Sequence, residues 1–249
     1  MAGHLILAGN QVTVGSRRPE AFTPPDYQRE DIDYPVRTIE EAIDDAEVAI
    51  LAIPNAAVAA FADVYRERLV GAVIIDPSDP FQWRNAGVMT IKDLGGKTSG
   101  TVTAELFPKS SVARAFSHQL AETLWSRGRR EPDQWAIGYA ADDDDTASIT
   151  FDIITQTGFV PIRVGSLAQS GCIDPGGVLF PGLLGVFSPQ GMQTTLDKGP
   201  FTLRHGDPER IRLGGGGTTR LRARRRRRAT VCTGRPTRPE GRFGCRRPR

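Results

Sequence analysis

EVAILAI, residues 47–53, followed by Pro54 and Asn55, decides how the rest of the chain is read. A short, almost purely apolar run bounded by turn-forming residues suits a strand covered on both faces, the condition of a parallel sheet. Asn55 then stands where a helix cap is expected, with the helix running over 56–69 and broken at Gly71. AVIID, residues 72–76, repeats the apolar pattern as a second strand.

Upstream, Thr38 with Glu41 three residues later has the spacing of a capping box for a helix over 39–45. Residues 1–8 (MAGHLILA) read as the end of an amphipathic helix stopped by Gly9-Asn10, and 12–14 as a short strand. Residues 22–34 and 77–99 show no usable period and read as loops. Downstream, a short helix is expected over 101–107, with strands at 111–116 and 134–139. The acidic run 142–145 opens a helix to about Thr157, and Gly158 precedes a strand over 159–164. Strands alternating with helices imply right-handed crossovers and an α/β, doubly wound parallel sheet.

The net charge of +3 conceals two unlike halves. Residues 201–249 hold 16 arginines against three acids, a charge of +13, and residues 1–200 carry −10. No run approaches the roughly 20 apolar residues that span a bilayer, and no basic, then apolar, leader opens the chain. Cys172, Cys232 and Cys245 are too few and scattered for a disulfide framework or a paired metal site. A cytoplasmic protein with no metal centre is expected. The chain divides into a nucleotide-binding unit over 1–165, an irregular or partly helical extension over 166–200, and a basic low-complexity tail over 201–249. With so little apolar surface the tail is expected to be disordered.

Ser16, Arg17 and Arg18 stand where the first strand gives way to a loop. At that point of a dinucleotide-binding fold an acid would bind a ribose 2′-hydroxyl, whereas a hydroxyl with arginines accommodates a 2′-phosphate. The planar arginine fork matches phosphate oxygens, so the trio favours NADP(H) over NAD(H). A solvated basic turn is the plainer alternative, weakened by the position of the trio in the α/β pattern. Ile53 and Pro54 put backbone at the carboxyl edge of the sheet, where open α/β folds bind ligands. A simple strand-to-helix turn accounts for them equally well. His118 reads more readily as a buried structural histidine than as a ligand-orienting one.

The segments HLILAGNQVTVGSRRPE (4–20), TIEEAIDDAEVAILAIPNAAV (38–58), GAVIIDPSDPF (71–81), SVARAFSH (111–118) and GFVPIRVGSL (158–167), in this order, carry a family likeness. The chain resembles the NADP-dependent oxidoreductases that include NADPH-dependent reductases of the deazaflavin coenzyme F420, over about residues 3–185. The resemblance implies a Rossmann-like fold, NADP and F420 as cofactors, and a homodimer. It further implies a 2′-phosphate site at Ser16, Arg17 and Arg18, a cofactor edge at Ile53 and Pro54, and a nicotinamide border at Ala115. Ser117 and His118 would face the deazaflavin. No catalytic side chain is required, because the cofactors carry hydride transfer and the protein positions them.

Two departures stand out. The family pattern opens with a strand and a glycine-rich turn, which bring backbone N–H groups to the pyrophosphate. Here Met1 falls inside the following helix, so the fold is expected to be N-terminally truncated and the enzyme inactive if nothing replaces that turn. Asp79, within Asp76-Pro77-Ser78-Asp79-Pro80, also adds a charge where the family has Ala-Thr-Asn-Pro. The alternative to a reductase is a non-catalytic Rossmann-like remnant, with a tail that binds nucleic acid non-specifically. The tail lacks the aromatics and motifs of a nucleic-acid arm, and its composition reads more readily as an unselected, out-of-frame segment.

Overall fold

The structure is a computed structural model that describes residues 1–28, 32–84, 88–128, 134–180, 186–198 and 228–233. The apolar run at its centre forms β3 (Val48–Ala52), in which Val48 and Ile50 face one helical layer and Ala49 and Leu51 the other. All four are fully buried, the two-sided cover that the unbroken apolar pattern anticipates.

Seven strands join β3 in one sheet: β1 (Gln11–Gly15), β2 (Val36–Arg37), β4 (Val73–Asp76), β7 (Ser111–Ala115), β8 (Ala136–Ala141), β9 (Val160–Gly165) and β10 (Arg228–Thr233). Their spatial order is β2-β1-β10-β3-β4-β7-β8-β9. Pairing is parallel from β2 to β7, β8 runs antiparallel to β7, and β9 is parallel to β8. The sheet is therefore mostly rather than wholly parallel, because the chain turns back at the end of β7 without a crossover. A separate hairpin of β5 (Phe81–Arg84) and β6 (Val88–Ile91) occupies part of the stretch read as loop.

Helices cover both faces. On one side lie α1 (Ala2–Leu7), α5 (Ala121–Arg127) and α6 (Asp144–Gln156), which contribute Leu5, Leu124 and Ile153 to the larger core. On the other lie α2 (Ile39–Ile43), α3 (Asn55–Tyr65) and α4 (Ser99–Leu106), with Ile43, Val58 and Phe61 packed beneath them. The turn Leu167–Ile173 and α7 (Pro189–Asp197) complete a third cluster against β8 and β9 through Ile173, Met192 and Leu196. The capping box forms as expected: Glu41 N–H donates to Thr38 Oγ1 at 3.3 Å and Thr38 N–H to Glu41 Oε2 at 3.0 Å. Asp143 caps α6 through Thr146 N–H at 2.7 Å, so the acidic run is a helix start. Asn55 is not a cap; Pro54 holds that position, and the Asn55 amide donates to Ser78 Oγ at 3.2 Å.

The main departure from the sequence reading is β10. Most of residues 201–249 lies outside the described residues, but Arg228–Thr233 is a strand at the middle of the sheet. It pairs in parallel with β1 over Gln11↔Arg228 to Gly15↔Cys232, and with β3 over Val48↔Ala229 to Ala52↔Thr233. Ala229 and Val231 enter the larger core and Cys232 the opposite one, while the Thr230 hydroxyl donates to the Ala42 carbonyl of α2. The place that an opening strand would hold is thus filled from the far end of the chain.

Candidate functional site

Six strands (β1, β2, β3, β4, β7 and β10) end on one edge of the sheet, and the loops leaving that edge carry the candidate residues. At the end of β1, Ser16 N–H donates to the Arg37 carbonyl at 2.9 Å, tying the loop to β2. Arg18 N–H donates to Ser16 Oγ at 3.2 Å, so the hydroxyl turns the backbone and keeps its own hydrogen free to donate outward. Arg17 and Arg18 are exposed, and among the described residues neither has an acidic partner. Arg37, paired with Gly15 at the end of β2, is also exposed, and its guanidinium donates to the Val36 carbonyl at 3.4 Å. The ends of these two adjacent strands thus carry one hydroxyl and three exposed arginines, residue types suited to a doubly charged oxyanion. Gly15 permits the close approach beneath it: a Cβ there would stand 3.1 Å from Ala42 Cβ and 3.6 Å from Cys232 Sγ.

Two strands away, Ile53 and Pro54 follow β3 and are half-buried at the same edge. The first-turn N–H groups of α3 open behind Pro54. Thr233, the last residue of β10, lies between these two loops, opposite Ala52.

The far side of the edge is organised by Arg114, which sequence reasoning overlooked. It sits in β7, fully buried, with Nε donating to Asp174 Oδ1 at 2.8 Å and Nη2 to Asp79 Oδ1 at 3.0 Å. Nη1 donates to the carbonyls of Asp76, at 3.0 Å, and Ser78. Asp76 in turn accepts from Ser78 N–H at 2.8 Å and Thr103 Oγ1 at 2.6 Å, and Asp174 accepts from Ser99 N–H at 2.9 Å. Burial alone would lower the Arg114 pKa, but Asp76, Asp174 and Asp79 together hold it above its ordinary range. One guanidinium cannot neutralise three carboxylates. Asp79 absorbs the imbalance: burial pushes its carboxyl up to about 7, with Asp174 and Asp76 adding to the rise and Arg114 opposing it.

Ala115 ends β7 and is fully buried; Phe116 follows at φ +65°, a left-handed conformation that costs an aromatic residue about 1–3 kcal/mol. Ser117 and His118, expected to face an acceptor, are turned inward. The Ser117 hydroxyl donates to the Ile173 carbonyl at 2.9 Å, and His118 Nε2 accepts from Gly138 N–H at 3.4 Å. Burial drives the His118 pKa down to about 3, with the Arg114 charge acting in the same direction. The imidazole is neutral at physiological pH and reaches no solvent-facing surface. The candidate residues thus divide into Ser16, Arg17, Arg18, Ile53 and Pro54 on the open edge, and Ala115, Ser117 and His118 beneath it.

No helix among the described residues is long and apolar enough to cross a membrane, and no group of three or more His, Cys, Asp or Glu among them could hold a metal ion. No protein-family model and no curated protein matches the chain. Solved structures do. A hypothetical protein from Sinorhizobium meliloti aligns with TM-score 0.62 at 23% identity, covering 75% of this chain and 88% of its own. A candidate F420-dependent NADP reductase from an Arthrobacter species aligns with TM-score 0.58 at 21% identity, covering 67% of this chain and 79% of its own. With the mostly parallel sheet and helices on both faces, these likenesses establish a Rossmann-like α/β fold.

Proposed function

We propose that the chain is an NADP(H)-dependent oxidoreductase that transfers a hydride between NADPH and a deazaflavin coenzyme of the F420 type, or a similar acceptor. One observation carries the reading: Ser16, Arg17, Arg18 and Arg37 gather at adjacent strand ends, with three exposed arginines and no acid paired to them among the described residues. An NAD-binding edge would place a carboxylate there to accept from the ribose hydroxyls. The structural likeness to a candidate F420-dependent NADP reductase supports the choice of acceptor.

When bound, NADPH supplies the hydride from its nicotinamide ring. Ser16 and the three arginines hold the 2′-phosphate, while Ile53 and Pro54 line the middle of the cofactor and exclude water from it. Ala115 and Phe116 close the nicotinamide end from beneath, and Ser117 and His118 lock that loop by their bonds to Ile173 and Gly138. No side chain is assigned a proton transfer.

The test is a titration of the full chain with NADPH and NADH, followed by mixing with oxidised F420 and measuring the loss of deazaflavin absorbance. Binding of NADPH well above NADH with turnover of F420 supports the reading. NADPH binding without turnover removes the acceptor and keeps the cofactor. Equal affinity for both nucleotides, or for neither, refutes the assignment.

A further inference from the structure

Ser16–Arg18 follow β1 and Ile53–Pro54 follow β3, and the two strands are not neighbours, because β10 lies between them. Strands stand about 4.8 Å apart, so roughly 10 Å separates β1 from β3 and no backbone hydrogen bond can join them directly. Hydrogen-bonded continuity across the candidate edge therefore runs through β10 alone, in register with both neighbours.

The fit of β10 is specific. Ala229, Thr230, Val231 and Cys232 are each at most 3% exposed. Ala229 and Val231 fill one core, Cys232 fills the other, and Thr230 bonds to α2. If β10 is taken as the first strand, the order β2-β1-β10-β3-β4-β7 is that of a doubly wound dinucleotide fold, 3-2-1-4-5-6. The strand is nevertheless attached unlike its neighbours. α7 ends at Asp197 and β10 starts at Arg228, and the cost of closing so long a connection grows only with the logarithm of its length.

We propose that the nucleotide site of this chain is assembled by insertion of its own C-terminal segment. Arg228–Thr233 is a separable central strand, and binding of NADPH is thermodynamically coupled to its insertion. The coupling rests on the NADP(H) reading above. A dinucleotide reaching from Ser16–Arg18 to Ile53–Pro54 bridges β1 and β3, so it binds when β10 fixes their spacing and not when β10 is out. It then holds the strand in by mass action.

Hydrogen exchange on the full chain, resolved by peptide, tests this with and without NADPH at ten times its dissociation constant, with NADH as a control. Nucleotide binding is followed separately by fluorescence. The proposal expects amides of β10, and those of β1 and β3 facing it, to exchange faster than those of β8, which open only with the whole fold. NADPH should slow the first group by about tenfold, the factor that ligand at ten times its dissociation constant gives any opening that destroys the site, and NADH by less. Equal rates for β10 and β8 would overturn it, because the strand then leaves only on global unfolding. Exchange of β10 as fast as an unstructured peptide would overturn it too. So would NADPH binding that leaves the β10 rate unchanged. Absence of NADPH binding refutes the cofactor reading and the coupling with it, and is told apart by the fluorescence arm.

Discussion

Thr230 in β10 donates its hydroxyl hydrogen to the backbone carbonyl of Ala42 in α2, joining residues 188 apart in sequence. This is the one side-chain hydrogen bond that ties the inserted strand to a helix among the described residues. Replacing Thr230 with Val keeps the shape and leaves a buried carbonyl without that donor. The cost should be about 1–2 kcal/mol, lowering the midpoint of thermal unfolding by about 3–6 °C. Scanning calorimetry measures it, and an unchanged midpoint would contradict the contact.

Cys232 offers a chemical reporter of the same strand. It is fully buried, and burial pushes its thiol up to about 12, so almost no thiolate exists at neutral pH. In a full chain carrying Cys172→Ser and Cys245→Ser, Cys232 should resist a maleimide for hours in buffer and react within minutes in denaturant. Adding Val231→Asp, which forces a charge into the larger core, should abolish the protection.

The three arginines at the open edge should separate the two nucleotides. Arg17→Ala removes a charge-assisted contact and is expected to weaken NADPH about tenfold to a hundredfold with little effect on NADH. Arg37→Ala should act in the same direction. Both losses should shrink as salt rises, since the groups are exposed. Equal weakening of NADH would refute a 2′-phosphate role.

Arg114 cannot be removed quietly. Arg114→Met would leave Asp76, Asp79 and Asp174 facing one another in the interior, at a cost of about 3–5 kcal/mol. Equilibrium denaturation in urea should show the loss, and adding Asp79→Asn should recover part of it.

The pH dependence has two opposing sources. The Asp79 carboxyl titrates near 7 when folded and near 3.8 when unfolded, so the folded chain holds the extra proton and stability falls as pH rises from about 4 to 7. His118 titrates near 3 folded and 6.5 unfolded, so the unfolded chain holds the extra proton and stability is lost as pH falls below 6.5. Between about 4 and 6.5 the two slopes cancel. Asp79→Asn should therefore be more stable than the parent at pH 8 and should show a new decline on acidification from 6.5, with a slope approaching one proton. Chemical denaturation across pH 4–8 measures both.

Local pattern made the apolar strands and the capped helices legible. β3 and β4 follow from apolar runs, α2 from the Thr38–Glu41 box, and the start of α6 from Asp143. The position of Ser16, Arg17 and Arg18 at a strand end was legible as well, since three polar residues after an apolar run need no distant partner to be noticed. β10 was not. Its core-facing residues number only four and are embedded in an arginine-rich run whose composition argues against burial. Only pairing with β1 and β3 gives them a place. Arg114 was hidden for the same reason, as a charge in a strand makes sense only once Asp76, Asp79 and Asp174 converge on it. Arg37 escaped because a two-residue strand has no period to read.

The position of β10 also sets an order on biosynthesis. A ribosome adds roughly 5–20 residues per second, so β1 and β3 wait on the order of ten to forty seconds for the strand that joins them. Until then their inner edges are open backbone, a template for any passing extended chain. Pairings so distant in sequence also give the fold a high contact order, and slow refolding with it. The nascent chain should therefore lean on chaperones longer than a protein of this size whose central strand is made first.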